Sequence, residues 1–320
     1  MSQLSNSARV SAPASIGNVG VGFDVLGLAF DAARDSVEAY RLDEPGLIEL
    51  GQVTGLVDAL PGEVSQNCAL AAAKAVLDAA GAPIGLRLDV HKGVPLSAGM
   101  GGSAASAVAA AGAVNALLGS PFSPDEILVH AMQGERVSAD PPPWDNVMAA
   151  VHGGLVLAAR LEPPLIRALP LPDGLSCVLF HPERKINTQD ARDLLAPVTD
   201  RQIAVEHSRN LASFVAGCAI GDLDLIRAGL KDILIEPQRL PLLPELAEVK
   251  IAAMHAGALG CSFSGSGPSV FAWCESNKLA AVRASMAEAF EQTGCKADCY
   301  NAPLKSRGLV IESEPVALRA

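Results

Sequence analysis

Residues 86–118 constrain the fold more than any other stretch of this chain. The run LRLDVHK (86–92) alternates apolar and polar side chains, the period of a half-buried strand. A glycine-rich turn follows: Gly93-Val94-Pro95-Leu96-Ser97-Ala98-Gly99-Met100-Gly101-Gly102-Ser103. From Ala104 to about Leu118 the chain is rich in alanine and reads as a helix. A strand that turns through glycines into a helix of small side chains belongs to a protein whose helices lie close on a sheet. The first turn of such a helix carries unpaired N–H groups at the positive end of its dipole, a cradle suited to phosphate. An ordinary small-residue helix start has the same composition, and spacing alone does not separate the two. The turn is not a Walker A loop, because no Gly-Lys-Ser/Thr follows, and no GxGxxG occurs in the chain. The absence of HRD and DFG excludes a protein-kinase loop.

Strands and helices alternate on both sides of this unit. Strands are expected at 8–12, entering a loop at Pro13, and at 37–42. Helices are expected at 67–80, stopped by Gly81 with Pro83 beyond, and at 124–134. Further strands fall at 176–180, 261–263, 269–273, 295–300 and 308–311. Further helices fall at 203–220, 223–230, 244–256 and 279–292. The class is therefore α/β or α+β. At roughly 100–200 residues per domain, 320 residues imply two domains. A proline-rich break, Leu161-Glu162-Pro163-Pro164-Leu165 with Pro170 and Pro172, divides the chain into 1–160 and 173–320.

Composition narrows the partners. Half of the residues are hydrophobic and 18% are charged, so the chain buries a core and is not a disordered one. A formal net charge of −11 is not the footprint of a nucleic-acid binder or of a protein that sits on anionic lipid. Eight Phe, two Tyr and two Trp offer few platforms for stacking bases. Neither a nucleic acid nor a membrane is an expected partner, and any phosphate must be held locally by backbone N–H groups. The small-apolar stretch 104–118 is interrupted by Ser106, Gly112 and Asn115 and is too short to span a bilayer. The opening residues show no secretory pattern. Seven cysteines without a CxxC pair read as reduced thiols rather than zinc ligands or disulfides, so a cytoplasmic location is expected.

Two more glycine-rich segments complete the pattern. The first, PASIGNVGVGFDVLGLA (13–29), carries Asn18 and Asp24; taken alone it reads as a tight turn with Asn18 as turn former and Asp24 as cap. The other, Phe263-Ser264-Gly265-Ser266-Gly267-Pro268-Ser269, lies between two short strands and taken alone is a hairpin connection. In this order the three segments resemble the GHMP kinases, and the resemblance covers nearly the whole chain. The 95–106 segment is similar to the family's PxxxGLGSSAAS ATP loop, and 264–269 to its SGSGPS-type loop. The 13–29 segment is close to the homoserine kinase version; the sugar and mevalonate kinases carry Lys where this chain has Ser15.

The resemblance implies an α+β, two-domain GHMP kinase architecture, with an N-terminal ribosomal-S5-like domain, a C-terminal ferredoxin-like domain and a cleft between them. It implies transfer of phosphate from ATP, with Mg²⁺, to L-homoserine, giving O-phospho-L-homoserine on the way to threonine. The family is often dimeric, so a homodimer is an expectation that no sequence feature carries. The rivals are another small-molecule kinase of the superfamily and a catalytically silent relative that binds nucleotide or metabolite.

Site residues follow from the same match. Pro95, Leu96, Ser97, Ala98, Gly99, Met100, Gly101, Gly102, Ser103 and Ala104 form the ATP loop, and Asn67 is an adenine-side position. Ser103 and Glu135 match the Mg²⁺ ligands, which suits a hard cation that takes oxygen donors. Asn18, Asp24, Thr188, Arg192 and Arg239 match positions that contact the amino acid, and Asp145 and Asn146 lie in the family's substrate turn. Two arginines suit an α-carboxylate, although a surface ion pair is the ordinary fate of an arginine. Asp24 and Asp145 are both candidates for the substrate ammonium. Two departures stand out: Gly102 replaces a loop serine, and Pro143 replaces a histidine two residues before the Asp145-Asn146 pair. No general base is assigned, because alignment and charge neutralisation lower a phosphoryl-transfer barrier without one.

Overall fold

The structure, a computed structural model, describes residues 7–139 and 141–313, less the side chain of Thr188. Strands β1 (Ser7–Gly17) and β2 (Leu26–Leu42) form a long antiparallel pair. The strand expected to stop at Pro13 runs on to Gly17. The ladder shifts register between Pro13 and Ala14, and a bulge of this kind tolerates a residue with no N–H to donate. Next come β3 (Ile48–Gly55), α1 (Cys68–Ala80), β4 (Gly85–Lys92), α2 (Gly102–Leu117), α3 (Pro124–Glu135), α4 (Trp144–His152), β5 (Leu155–Arg160) and β6 (Leu165–Leu169).

Local chemistry sets these elements. Asn67 caps α1 by accepting from the Ala69 and Leu70 N–H groups, and Gly81 ends it in the left-handed conformation. Ser123 and Glu126 close a capping box on α3, with Pro124 in its first turn. Helix α2 is buried on almost every side, and its alanines let it sit tightly between the sheet and its neighbours α1 and α3.

The second half adds β7 (Leu175–Pro182), α5 (Thr188–Asp193), α6 (Arg201–Ile220), α7 (Leu223–Gly229), α8 (Glu236–Arg239), α9 (Leu246–His255), β8 (Gly260–Phe263), β9 (Val270–Glu275), α10 (Leu279–Gln292), β10 (Ala297–Pro303) and β11 (Val310–Ser313). Its four-stranded antiparallel sheet runs β10-β7-β9-β8, the order of a ferredoxin-like domain. One face, with Val178 and Phe180, packs on α9 and α10 through Val249, Val282, Met286 and Phe290. The other face, with Cys177, Leu179, Phe271 and Trp273, joins the core of the first half. Both faces are covered, which is why this strand reads as a continuous apolar run.

Sheet membership does not follow the division at 160–173. Strand β6 lies inside that break and pairs with β5, and β11 returns from the far end of the chain to pair with β1. Among the described residues the first sheet therefore has seven strands, with β11-β1-β2-β4-β3 as its path, β5 attached to β2, and β6 attached to β5. Cys177, Cys218, Cys261 and Cys274 are buried thiols, and Cys68, Cys295 and Cys299 are also unpaired. Among the described residues no helix is long and apolar enough to cross a membrane.

Candidate active site

The three glycine-rich segments, far apart in sequence, meet through hydrogen bonds. Ser15 N–H donates to the Met100 carbonyl (2.9 Å), and Gly265 N–H to the Gly17 carbonyl (3.1 Å). Ser264 Oγ donates to the Gly99 carbonyl (2.6 Å), and Asn18 Nδ2 to the Gly265 carbonyl (3.0 Å). Gly99 has φ +69°, and a Cβ there would lie 2.5 Å from the Gly267 carbonyl oxygen, so the junction admits only glycine. The segments enclose a cavity of about 550 Å³. Asn18, Val19 and Gly20 are all left-handed, and Asn18 Oδ1 accepts from the Asp24 N–H (3.0 Å). Asn18 is thus both the turn former and a cavity residue. Val19, β-branched at φ +45°, stores strain of about 1–3 kcal/mol in this turn.

On the wall formed by the 95–104 loop, Glu135 is fully buried at the end of α3. Its Oε2 accepts from Ser103 Oγ (2.9 Å) and Ser138 Oγ (3.4 Å), while Oε1 has no hydrogen-bond partner among the described residues. Burial raises its pKa, and the Ser103, Cys68 and Ser138 hydroxyl and thiol groups oppose that rise. Burial and the neighbouring carboxylate push the Cys68 thiol up to about 12, so it stays protonated. A hard divalent cation that bridges phosphates takes only part of its shell from protein; Ser103 Oγ and the open Glu135 oxygen supply oxygen donors, and the residues fit it. Ala98, Gly99, Gly101 and Gly102 line the cavity, with Leu96 and Ser97 at its exposed rim. Pro95, Met100 and Ala104 stand outside the lining; Met100 contributes its carbonyl to the Ser15 contact instead. Asn67 lines the cavity, and its side chain already caps α1 and donates to the Pro61 carbonyl.

The opposite wall carries the charges. Arg192 on α5 lies 3.3 Å from Asp24. Arg239 on α8 is 3% exposed; its Nε donates to the Ala191 carbonyl, one terminal nitrogen to the Gly265 carbonyl, and its guanidinium lies over the Phe23 ring. Asp145 opens α4 and is 3% exposed. Its Oδ2 accepts from the Asn18 N–H (2.8 Å), and its Oδ1 from the Asn146 N–H and Nδ2 (2.9 and 3.1 Å). Burial, with repulsion from Asp24, raises its pKa to about 6 against the pull of those hydrogen bonds. Gly17 admits this arrangement, since a Cβ there would lie 2.5 Å from Asp145 Oδ2. Pro143 lines the cavity just before α4 and puts an apolar ring where the resemblance places an imidazole. The side chain of Thr188 lies outside the described residues. None of the six histidines lines the cavity.

The structure also brings in residues to which the resemblance gives no role: Phe23, Cys68, Ser138 and, beneath the 95–104 loop, Lys92. Lys92 and Asp35 form an ion pair whose side chains are 2% and 0% exposed. Period-two alternation places Lys92 on the same strand face as the buried Leu86, Leu88 and Val90, and Asp35 on that of Val37 and Ala39. A charge on a buried strand face is the signal that finds them.

Comparison with known proteins gives the family. The family model for the GHMP kinases N terminal domain matches residues 67–154, and that for GHMP kinases C terminal matches 212–292. The chain is 43% identical to a homoserine kinase of Xanthomonas campestris pv. campestris (strain B100) over 302 residues, 93% of this chain and 92% of that one. It is 40% identical to a homoserine kinase of Xylella fastidiosa (strain 9a5c), over 94% and 92% of the two chains. The crystal structure of homoserine kinase from Cytophaga hutchinsonii ATCC 33406 superposes with a TM-score of 0.92 at 34% identity, covering 97% of this chain and 99% of that one. Fold, family models and relatives converge: this chain belongs to the GHMP kinases, in the homoserine kinase family.

Proposed function

We propose that this cavity transfers the γ-phosphoryl group of ATP to the side-chain hydroxyl of L-homoserine, giving ADP and O-phospho-L-homoserine. One observation carries the reading: a phosphate cradle with an open buried carboxylate oxygen shares a single cavity with an Asp24–Arg192 pair and a buried Arg239. Backbone N–H groups at the start of α2 hold the nucleotide phosphates. Ser103 and Glu135 hold Mg²⁺, which neutralises charge on those phosphates when bound. Arg192 and Arg239 grip the α-carboxylate of the amino acid. Asp24 takes its ammonium: among the described residues the half-exposed Asp24 carboxylate shares only a long contact with Arg192, whereas both oxygens of Asp145 are already occupied. Asp145 instead fixes the Asn18 turn and the start of α4.

Neither acceptor-side carboxylate is free to act as a base. The residues lower the barrier by holding hydroxyl and phosphorus in line and by neutralising charge. An ADP-release assay with Mg·ATP, run with L-homoserine beside L-serine, L-threonine, mevalonate and galactose, tests the reading. Clear preference for L-homoserine is the expected result. Preference for another acceptor overturns the substrate assignment, and nucleotide binding without turnover on any of them overturns the enzyme assignment.

A further inference from the structure

The loop that cradles phosphate is tied off at its base by a buried charge cluster. Asp35, on β2, accepts from the N–H groups of Gly93 (3.0 Å) and Val94 (2.9 Å), the residues that lead into the loop. Lys92, the last residue of β4, donates from Nζ to Asp35, to the Gly102 carbonyl (2.8 Å) and to Ser106 Oγ (2.8 Å). Ser106, on α2, donates in turn to Asp35 Oδ2 (2.6 Å). Gly102 and Ser106 are where the loop becomes helix. The cluster therefore grips both ends of residues 93–102 at once.

Burying two charges is costly, and a well-packed apolar pair is often at least as stabilising. What an apolar pair cannot supply is direction: it leaves the Gly93 and Val94 N–H groups without an acceptor and frees the carbonyl at the start of α2. We infer that Asp35, Lys92 and Ser106 are positioning residues that set nucleotide affinity by clamping the base of the phosphate loop, without acting on the acceptor amino acid. The inference rests on the ATP-binding part of the proposed function and is independent of which acceptor is phosphorylated.

Binding of MgADP to the full chain, measured by calorimetry, tests it without turnover. Lys92→Met, Asp35→Asn and Ser106→Ala each weaken MgADP, the first two by about tenfold (about 1.4 kcal/mol). The apolar double variant Asp35→Leu/Lys92→Met leaves no orphaned charge; it melts no lower than the worse single variant yet still binds MgADP about tenfold more weakly. In steady-state assays KM for ATP rises while KM for the acceptor stays within about twofold, a split that general destabilisation does not produce. Wild-type MgADP affinity in the folded double variant overturns the clamp. So does a loss confined to Lys92 variants, which makes Lys92 a direct phosphate ligand, or an equal rise in both KM values. Failure of the wild-type chain to phosphorylate L-homoserine while it binds MgADP overturns the proposed function alone.

Discussion

Glu135 places one carboxylate oxygen on the Ser103 and Ser138 hydroxyls and leaves the other, buried, without a partner among the described residues. An amide at this position keeps an acceptor for Ser103 and loses the charge a divalent cation requires. Glu135→Gln is expected to lower Mg-dependent kcat on the order of 100-fold, with melting temperature close to wild type, checked by steady-state kinetics and calorimetry. Asp145 makes a pH prediction. Its folded pKa is raised from 3.8 to about 6, so folding favours the protonated form between those values. The stability this contributes is complete below about pH 4 and is lost as pH rises through 6. The melting temperature of Asp145→Asn, measured relative to wild type, should therefore become more favourable from pH 5 to pH 7.5. A constant difference across that range counts against the shift. Asn18, Asp24, Glu135, Arg192 and Arg239 were legible through motif order. Lys92 and Asp35 were legible only from strand parity, because no motif names them and their pairing joins two strands and a helix.

At the scale of elements, α1, α2, α3, α6 and α10 lie within two residues of the ranges their periodicity and caps predict. Strand β3, helix α4 and the β5–β6 hairpin stand where periodicity gives no element. β3 has an irregular, half-exposed burial pattern, α4 is nine residues long and follows consecutive prolines, and β6 falls inside the proline-rich break. Tertiary pairing makes these elements, so local propensity does not announce them. The junction of the phosphate loop with the 264–269 loop is also an element-scale feature. Gly99→Ala places a methyl against the Gly267 and Ser264 carbonyl oxygens at a positive φ, costing about 1–3 kcal/mol. Its denaturant midpoint should fall, and KM for ATP should rise with it. An unchanged midpoint means the two loops do not bear on each other.

At the scale of the whole molecule, the cavity belongs to neither half of the chain. Asn18 bonds to Gly265 across 247 positions, Arg192 pairs with Asp24 across 168, and β11 pairs with β1 from opposite ends of the described chain. A fragment of residues 1–172 keeps the phosphate loop but lacks β11, the 264–269 loop and both arginines. It is expected to bind MgADP at least tenfold more weakly than the full chain (about 1.4 kcal/mol) and to lose cooperative melting. Full-strength binding by a cooperatively folded fragment contradicts the view that the halves build the site together. The sequence by itself determined helices α1, α2, α3, α6 and α10, the Gly81 stop of α1, the strand–loop–helix unit at 86–118 and, through three motifs in order, the family. These depend on periodicity and on residues a few positions apart, and local spacing records such interactions. Only the tertiary structure decided that Asp145 is fully engaged while the half-exposed Asp24 pairs, among the described residues, with Arg192, and that Asp35 and Lys92 close the loop from below. It also decided that the last strand completes the first sheet. Each of these is a contact between side chains or strands tens to hundreds of residues apart, and their juxtaposition exists only once the two sheets have packed.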